Sequence, residues 1–199
     1  MGHISSAWTA IDAWLAHHAP ASARALPGPA SAADLAAAEQ ALGLRFPPDF
    51  AESLSHHDGQ ADDCTDFPGT RLLSLEEIVA TREDLVETAE DELGRDDADD
   101  WWWHEQWLPI GDLDADVLVL DCRPGAGYGR VGFRSKDDVA DFEPGSGWSS
   151  FTAYLGEMAA AFADGRTTEG LIPHLTTEGT LFWEHEIDDP ELTPIRLNG

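Results

Sequence analysis

Residues 116–122 read DVLVLDC. Val117 to Leu120 are all apolar, so an extended segment here carries apolar side chains on both alternating faces, as in a central strand covered on its two sides. GRVGFR, residues 129–134, follows across a turn containing three glycines and reads as the neighbouring strand. Residues 139–142 can add an edge strand.

Upstream the period is helical. Trp8, Ile11, Leu15 and His18 recur at helix spacing over residues 7–18, and Pro20 ends that run. An Ala/Pro/Gly-rich link follows. Ser31 then caps a second helix, with Asp34 in its first turn and Leu35, Ala38 and Leu42 on one face before Gly43. FPPDFAESLSHHDG, residues 46–59, reads as a short third helix entered through proline and closed by Gly59. Ser74 and Glu77 have capping-box spacing for a fourth, whose stripe is Leu75, Ile78, Val79, Arg82, Leu85, Val86, Ala89 and Leu93 before Gly94. Downstream, Ser149 or Ser150 opens a last helix with Phe151, Tyr154, Leu155, Met158 and Phe162 facing inward, and Gly165 stops it. LTTEGTLFWEHE, residues 175–186, reads as a hairpin turning at Glu178 and Gly179. Helices, then strands, then a helix again indicate an α+β fold. Leu35, Ala38 and Leu42, the strand Val117 to Leu120, and Phe151, Leu155 and Phe162 are expected to share one core.

The chain has 199 residues, 42% of them hydrophobic, with 8 Trp and 8 Phe, which is enough for a core. No segment approaches the run of about 18 apolar residues that spans a bilayer. The opening stretch, MGHISSAWTAIDAWLAHHAP, lacks a cationic start followed by a continuous apolar run, so a cytoplasmic location is expected. Cys64 and Cys122 are isolated thiols without ligand-like spacing, which suits a reduced protein without excluding a disulfide. Eleven Lys and Arg oppose 39 Asp and Glu, a formal net charge of -28, and Lys136 is the only lysine. Such a chain repels nucleic acid and anionic membranes and attracts cationic partners. Abundant Ala and Gly, with arginine preferred to lysine, offer a compositional explanation in a GC-rich bacterial genome. That explanation covers the local crowding less well: Glu87 to Asp116 holds twelve acidic residues and one basic residue, Arg95.

Gly127-Tyr128-Gly129-Arg130-Val131-Gly132 fits the glycine spacing of a dinucleotide loop, but strand and turn follow where a helix must open to receive the pyrophosphate. A β-hairpin is the better reading. His17-His18 and His56-His57 are adjacent pairs, whereas zinc-binding helices space their histidines to bring both rings to one side. DDADD, residues 96–100, lacks the glycine and the terminal bidentate glutamate of a calcium loop. HHDG, residues 56–59, offers an acid-base cluster but reads better as a helix C-terminus. No catalytic residue, metal or cofactor is expected.

What is left is DDADDWWWHEQW, a run of carboxylates set against tryptophans. In an extended segment Trp101 and Trp103 face one way and Trp102 the other, whereas in a helix Trp103 and Trp107 share a face. One or more rings are expected in the core and at least one partly exposed, with Glu87–Asp100 largely exposed. An exposed tryptophan beside carboxylates is a binding anchor. Asp96, Asp97, Asp99, Asp100, Trp101, Trp102 and Trp103 are therefore the candidate partner-binding residues.

The order of these pieces resembles the SUKH superfamily, which includes the yeast cell-wall-assembly regulator and many bacterial toxin-immunity proteins. The residues that carry the resemblance begin with Leu26-Pro27-Gly28, Glu39, Gly43, Pro47 or Pro48 with Asp49-Phe50, Leu54 and Asp58-Gly59. They continue with Trp107-Leu108-Pro109-Ile110-Gly111-Asp112, Leu120-Asp121, Gly129 and Val131, and Ser150-Phe151 with Leu155. Asp114-Ala115-Asp116 departs from the pattern, which tends to have a glycine before the strand. The resemblance implies an α+β fold with a central, largely antiparallel sheet flanked by helices, no catalytic residues, and a protein partner. It divides the chain into an N-terminal helix packed on the domain (1–23), a SUKH-like domain (24–165) and a C-terminal tail forming a hairpin (166–199). The expected function is a non-catalytic protein-binding module, an immunity protein neutralising a basic nuclease- or deaminase-type toxin. The alternative is a cytoplasmic regulatory or scaffold protein.

Overall fold

The computed structural model describes residues 2–61, 67–93, 102–113, 116–135 and 138–197. In chain order its elements are α1 (His3–His18), α2 (Pro20–Ala25), α3 (Ala32–Leu42), α4 (Pro48–Leu54), β1 (Arg71–Leu72), α5 (Leu75–Leu93), β2 (Trp107–Leu113), β3 (Asp116–Asp121), β4 (Val131–Arg134), α6 (Phe151–Asp164), β5 (Ile172–Leu175), β6 (Leu181–Glu184) and β7 (Thr193–Pro194). Among the described residues the strands form a four-stranded antiparallel sheet in the order β1-β2-β3-β4 and a small sheet in the order β6-β5-β7. The fold is α+β.

The helix boundaries follow local chemistry. At α3 the Ser31 hydroxyl accepts from the Asp34 N–H at 3.1 Å, and the Asp34 carboxylate accepts from the Ser31 N–H at 3.3 Å, which satisfies two donors that a helix start leaves open. Gly43 ends the helix at φ 65°, a conformation that costs a side-chain-bearing residue. At α5 the Glu77 carboxylate accepts from Ser74 N–H at 2.8 Å, and Asp58 adds a second cap by accepting from Leu75 N–H at 2.8 Å. Ser150 caps α6 through Ala153 N–H. Two expectations need correcting at the N-terminal side. Helix α1 starts at His3, bringing Ile4 into its buried stripe, and part of the expected link is α2, with Pro20 as its first residue. Proline fits the first turn because that N–H would have no helical partner.

β3 is covered on both sides, as its sequence indicates, but it does not enter one core. Leu118 and Leu120 join a large cluster with Leu108, Ile110 and Val131, under α1, α4 and α6. Val117 and Val119 face the other way, into a smaller cluster with Ala89 of α5, Trp103, Trp107 and Ala140. The one-core expectation fails because side chains alternate along a strand. A bulge between Pro109 and Gly111 adjusts β2 to both layers. Gly111 also lets β1 approach, since a Cβ there would lie 2.4 Å from Thr70 Cγ2. The expected strand at 139–142 reduces to a single bridge between Phe133 and Asp141.

The chain ends pack into the large cluster. Trp8 of α1 donates to Ser53 Oγ at 2.9 Å, and Trp183 of β6 meets Phe162 of α6 with ring centroids 5.3 Å apart. Buried Ser22 of α2 accepts from the Leu181 N–H at 2.8 Å. The hairpin β5–β6 turns through Gly179, φ 79°, at the expected place, but its first strand, Ile172–Leu175, lies almost wholly ahead of the expected stretch 175–186.

Candidate functional site

The tryptophan stretch lies where α5 hands the chain to β2. Asp96, Asp97, Asp99, Asp100 and Trp101 fall outside the described residues. Trp103 is 2% exposed and packs edge-on against Trp107, centroids 5.8 Å apart, so their contact arises without the helix that would put them on one face. Trp102 is half-buried. One ring inside and one at the surface is the expected division. The turn that holds them, residues 102–106, is fixed from α5 by Arg82, whose guanidinium donates to the Glu105 carbonyl. Arg82 therefore belongs to the helix stripe not as an apolar substitute but as the link to this turn.

Arginines carry the rest of this face. Arg134 is 1% exposed; its Nε donates to the Trp102 carbonyl at 3.1 Å, and its guanidinium lies 4.1 Å from the Trp102 ring centroid. The same arginine thus holds Trp102 through backbone and ring. Asp121, also 1% exposed, takes Nε and Nη2 of Arg123 at 2.9 Å each and Nε of Arg130 at 3.0 Å. Burial by itself would raise its pKa, but the hydrogen bonds from Arg123 and Arg130 outweigh burial and hold the carboxyl below its ordinary value. Arg123 in turn covers Trp107 at 5.2 Å and Arg130 covers Phe142 at 4.5 Å. Arg123 reaches Asp121 from two positions away, whereas Arg130 meets it only because the β3–β4 turn folds back, so spacing along the chain carries no signal for that second contact.

The outer side of α5 has the opposite character. Glu76, Glu83, Asp84, Glu87 and Glu90 are all exposed, and in the sequence the helix is followed by the acidic stretch 96–100. The candidate site is thus a tryptophan turn, half-buried at Trp102 and braced by arginines, beside an exposed row of carboxylates.

HHDG resolves into braces. His57 sits against Trp8 at 4.7 Å, with Nδ1 2.6 Å from the Pro27 carbonyl and Nε2 3.2 Å from Asp12. Asp58 caps α5, and Gly59 takes φ 74° where a Cβ would come within 2.4 Å of Ser74 N. Glu39 accepts from Phe46 N–H at 2.8 Å, and Asp49 from Thr152 N–H at 2.9 Å, tying the α3–α4 turn and the start of α6. Glu39, Asp49 and Asp58, three polar residues of the SUKH-like pattern, thus each hold a turn or a helix end. Cys122 is a buried free thiol.

The model of the SMI1 / KNR4 family (SUKH-1) matches residues 29–157. The chain belongs to this family. The SUKH-1 match opens just before α3 and closes within α6, so it contains the whole four-stranded sheet and leaves α1, α2 and the β6-β5-β7 sheet outside. Membership is consistent with an immunity protein or with a regulator of the SMI1/KNR4 kind. No curated protein matches the chain. Among the described residues no helix is long and apolar enough to cross a membrane.

Proposed function

We propose that this SUKH-1 chain is a non-catalytic, cytoplasmic binding module that neutralises a basic protein toxin of the nuclease or deaminase type. The exposed carboxylate row of α5, Glu76, Glu83, Asp84, Glu87 and Glu90, is the observation that carries this reading, and Asp96, Asp97, Asp99 and Asp100 follow it in the sequence. A toxin that handles nucleic acid presents a cationic groove built for phosphates. Surface carboxylates fill such a groove and speed the encounter, while an aromatic anchor slows release. On this reading neither nucleic acid nor a membrane is a partner, and the domain boundaries stand at about 24 and 165 with α1 and the tail as flanking layers.

The family match also favours a second reading, a regulatory or scaffold protein. One experiment separates the two. The chain is used to capture a partner from its source cell, the captured protein is expressed alone, and growth is followed with and without this chain. Growth arrest relieved by co-expression supports immunity. A harmless partner supports regulation, and capture of only acidic or neutral proteins overturns the electrostatic reading.

A further inference from the structure

A cleft of about 790 Å³ lies on the large-cluster side of the sheet, between residues 138–148, the Tyr154 and Glu157 edge of α6, and residues 167–171. Asp138, Asp141, Glu157 and Glu169 line it, and none of its described lining residues is Arg, Lys or His. One wall is aromatic. The Trp148 indole donates to Glu157 Oε2 at 2.6 Å, and its ring stands edge-on to Tyr154 with centroids 5.0 Å apart. Tyr154, which also lines the cleft, is 2% exposed, and among the described residues its hydroxyl meets no hydrogen-bond partner. A buried hydroxyl without a partner destabilises the fold, and phenylalanine would pack there without that cost. The hydroxyl is explained if it serves something that enters the cleft.

The occupant must be cationic, because carboxylates in a recess focus a negative field and exclude anions. A bare metal ion does not fit: among the described residues no three His, Cys, Asp or Glu side chains converge as ligands, and the space is far larger than an ion. A guanidinium fits on each count. It is planar, stacks on aromatic faces, and carries only donors, which suits carboxylates and a hydroxyl oxygen. We propose that this cleft receives an arginine-bearing segment of the partner protein, with the guanidinium seated at the Trp148–Glu157–Tyr154 end. The proposal rests on the reading of the chain as a binder of basic proteins and adds a second, recessed contact to the α5 surface.

The test is a titration of isotope-labelled protein with the blocked peptide Gly-Arg-Arg-Gly, followed by NMR, with the neutral citrulline peptide as control. The Trp148 indole and the amides of 141–148 and 167–169 should shift saturably with the arginine peptide alone, while the indoles of Trp102, Trp103 and Trp107 stay in place. Asp141→Asn combined with Glu157→Gln keeps the acceptors for Glu143 N–H and the Trp148 indole, and should weaken binding by about tenfold or more. Tyr154→Phe should weaken binding several-fold at an equal or higher melting temperature, which a tyrosine that only fills the core cannot do. The absence of a saturable shift, shifts spread along α5, or affinity unchanged in these variants overturns the proposal. The probe is a peptide and not the natural partner, so this outcome and that of the capture experiment are independent.

Discussion

On one side of the sheet Phe162 meets Trp14, Phe67 and Trp183, with ring centroids 5.0, 5.8 and 5.3 Å away. On the other side Trp102 and Trp107 meet guanidinium groups, and the buried indole N–H groups of Trp103 and Trp107 meet no acceptor among the described residues. Both layers bury large aromatic rings. The first is held by apolar packing, which is insensitive to salt and pH. The second is held by arginines that the Asp121 carboxylate and the backbone carbonyls of Trp102 and Glu105 help to position. The large cluster therefore carries the stability, and the tryptophan layer can be altered at lower cost. A surface that has to match one partner is better built on the second kind of layer.

Phe162→Ala should show the largest effect, about 3–5 kcal/mol by chemical denaturation, since it opens a cavity among three aromatic neighbours. A loss under about 1 kcal/mol would remove the distinction between the layers. Asp121→Ala comes next, at about 3 kcal/mol, because it leaves two arginines without their shared acceptor. Its pH signature has a definite sign. The folded carboxyl titrates below its ordinary value, so its stabilisation is complete above the ordinary carboxylate range and is lost as pH falls through the folded value. Acid unfolding of Asp121→Asn should therefore lack a slope that the native chain shows below about pH 4. Trp103→Phe should cost less than about 1.5 kcal/mol, because removal of an unsatisfied N–H offsets part of the lost packing.

Cys122 sharpens the picture of a closed interior. Burial first, and then the charge of Asp121, push its thiol up to about 12. Iodoacetamide near pH 8 should label it only in denaturant, as read by peptide mapping, and labelling of the native chain would show that the sheet opens. The smallest effect on stability, within about 0.5 kcal/mol, is expected for Asn at positions 96, 97, 99 and 100 together. In kinetics with a captured partner the same variant should lower kon and flatten its salt dependence. Trp102→Ala should instead raise koff, by about 2 kcal/mol if the ring anchors the partner.

The punctuation of this fold is legible in its sequence. Ser31 with Asp34, Ser74 with Glu77, Ser150, Gly43 and Gly165 stand where the helices start and stop, because a cap is a local interaction over three or four residues. Val117 to Leu120 are legible as a doubly covered strand, although not as the divider of two layers, since nothing in four apolar residues says which layer each enters. Helix α2 escapes because six residues carry too little periodicity, and its proline looks the same whether it stops one helix or starts the next. The arginine network escapes for a different reason. Arg134 finds Trp102 from 32 positions away, and the buried Asp121 binds Arg130 through a turn, so these contacts exist only once the sheet has formed. Of the candidate binding residues, Trp102 and Trp103 can be placed, and the four aspartates and Trp101 lie outside the described residues.

The hydrogen bond between Ser22 and Leu181 also has a consequence for biosynthesis. Its two ends are 159 positions apart. At translation rates of about 5–20 residues per second, α2 waits on the order of ten to thirty seconds for the strand that completes its packing. Throughout that interval the apolar stripe of α1, Ile4, Trp8, Ile11 and Leu15, has no finished surface to close against. Nascent chains crowded on one messenger would meet through such stripes. Their many carboxylates, emerging ahead of the final strands, keep neighbouring half-made molecules apart until each can close.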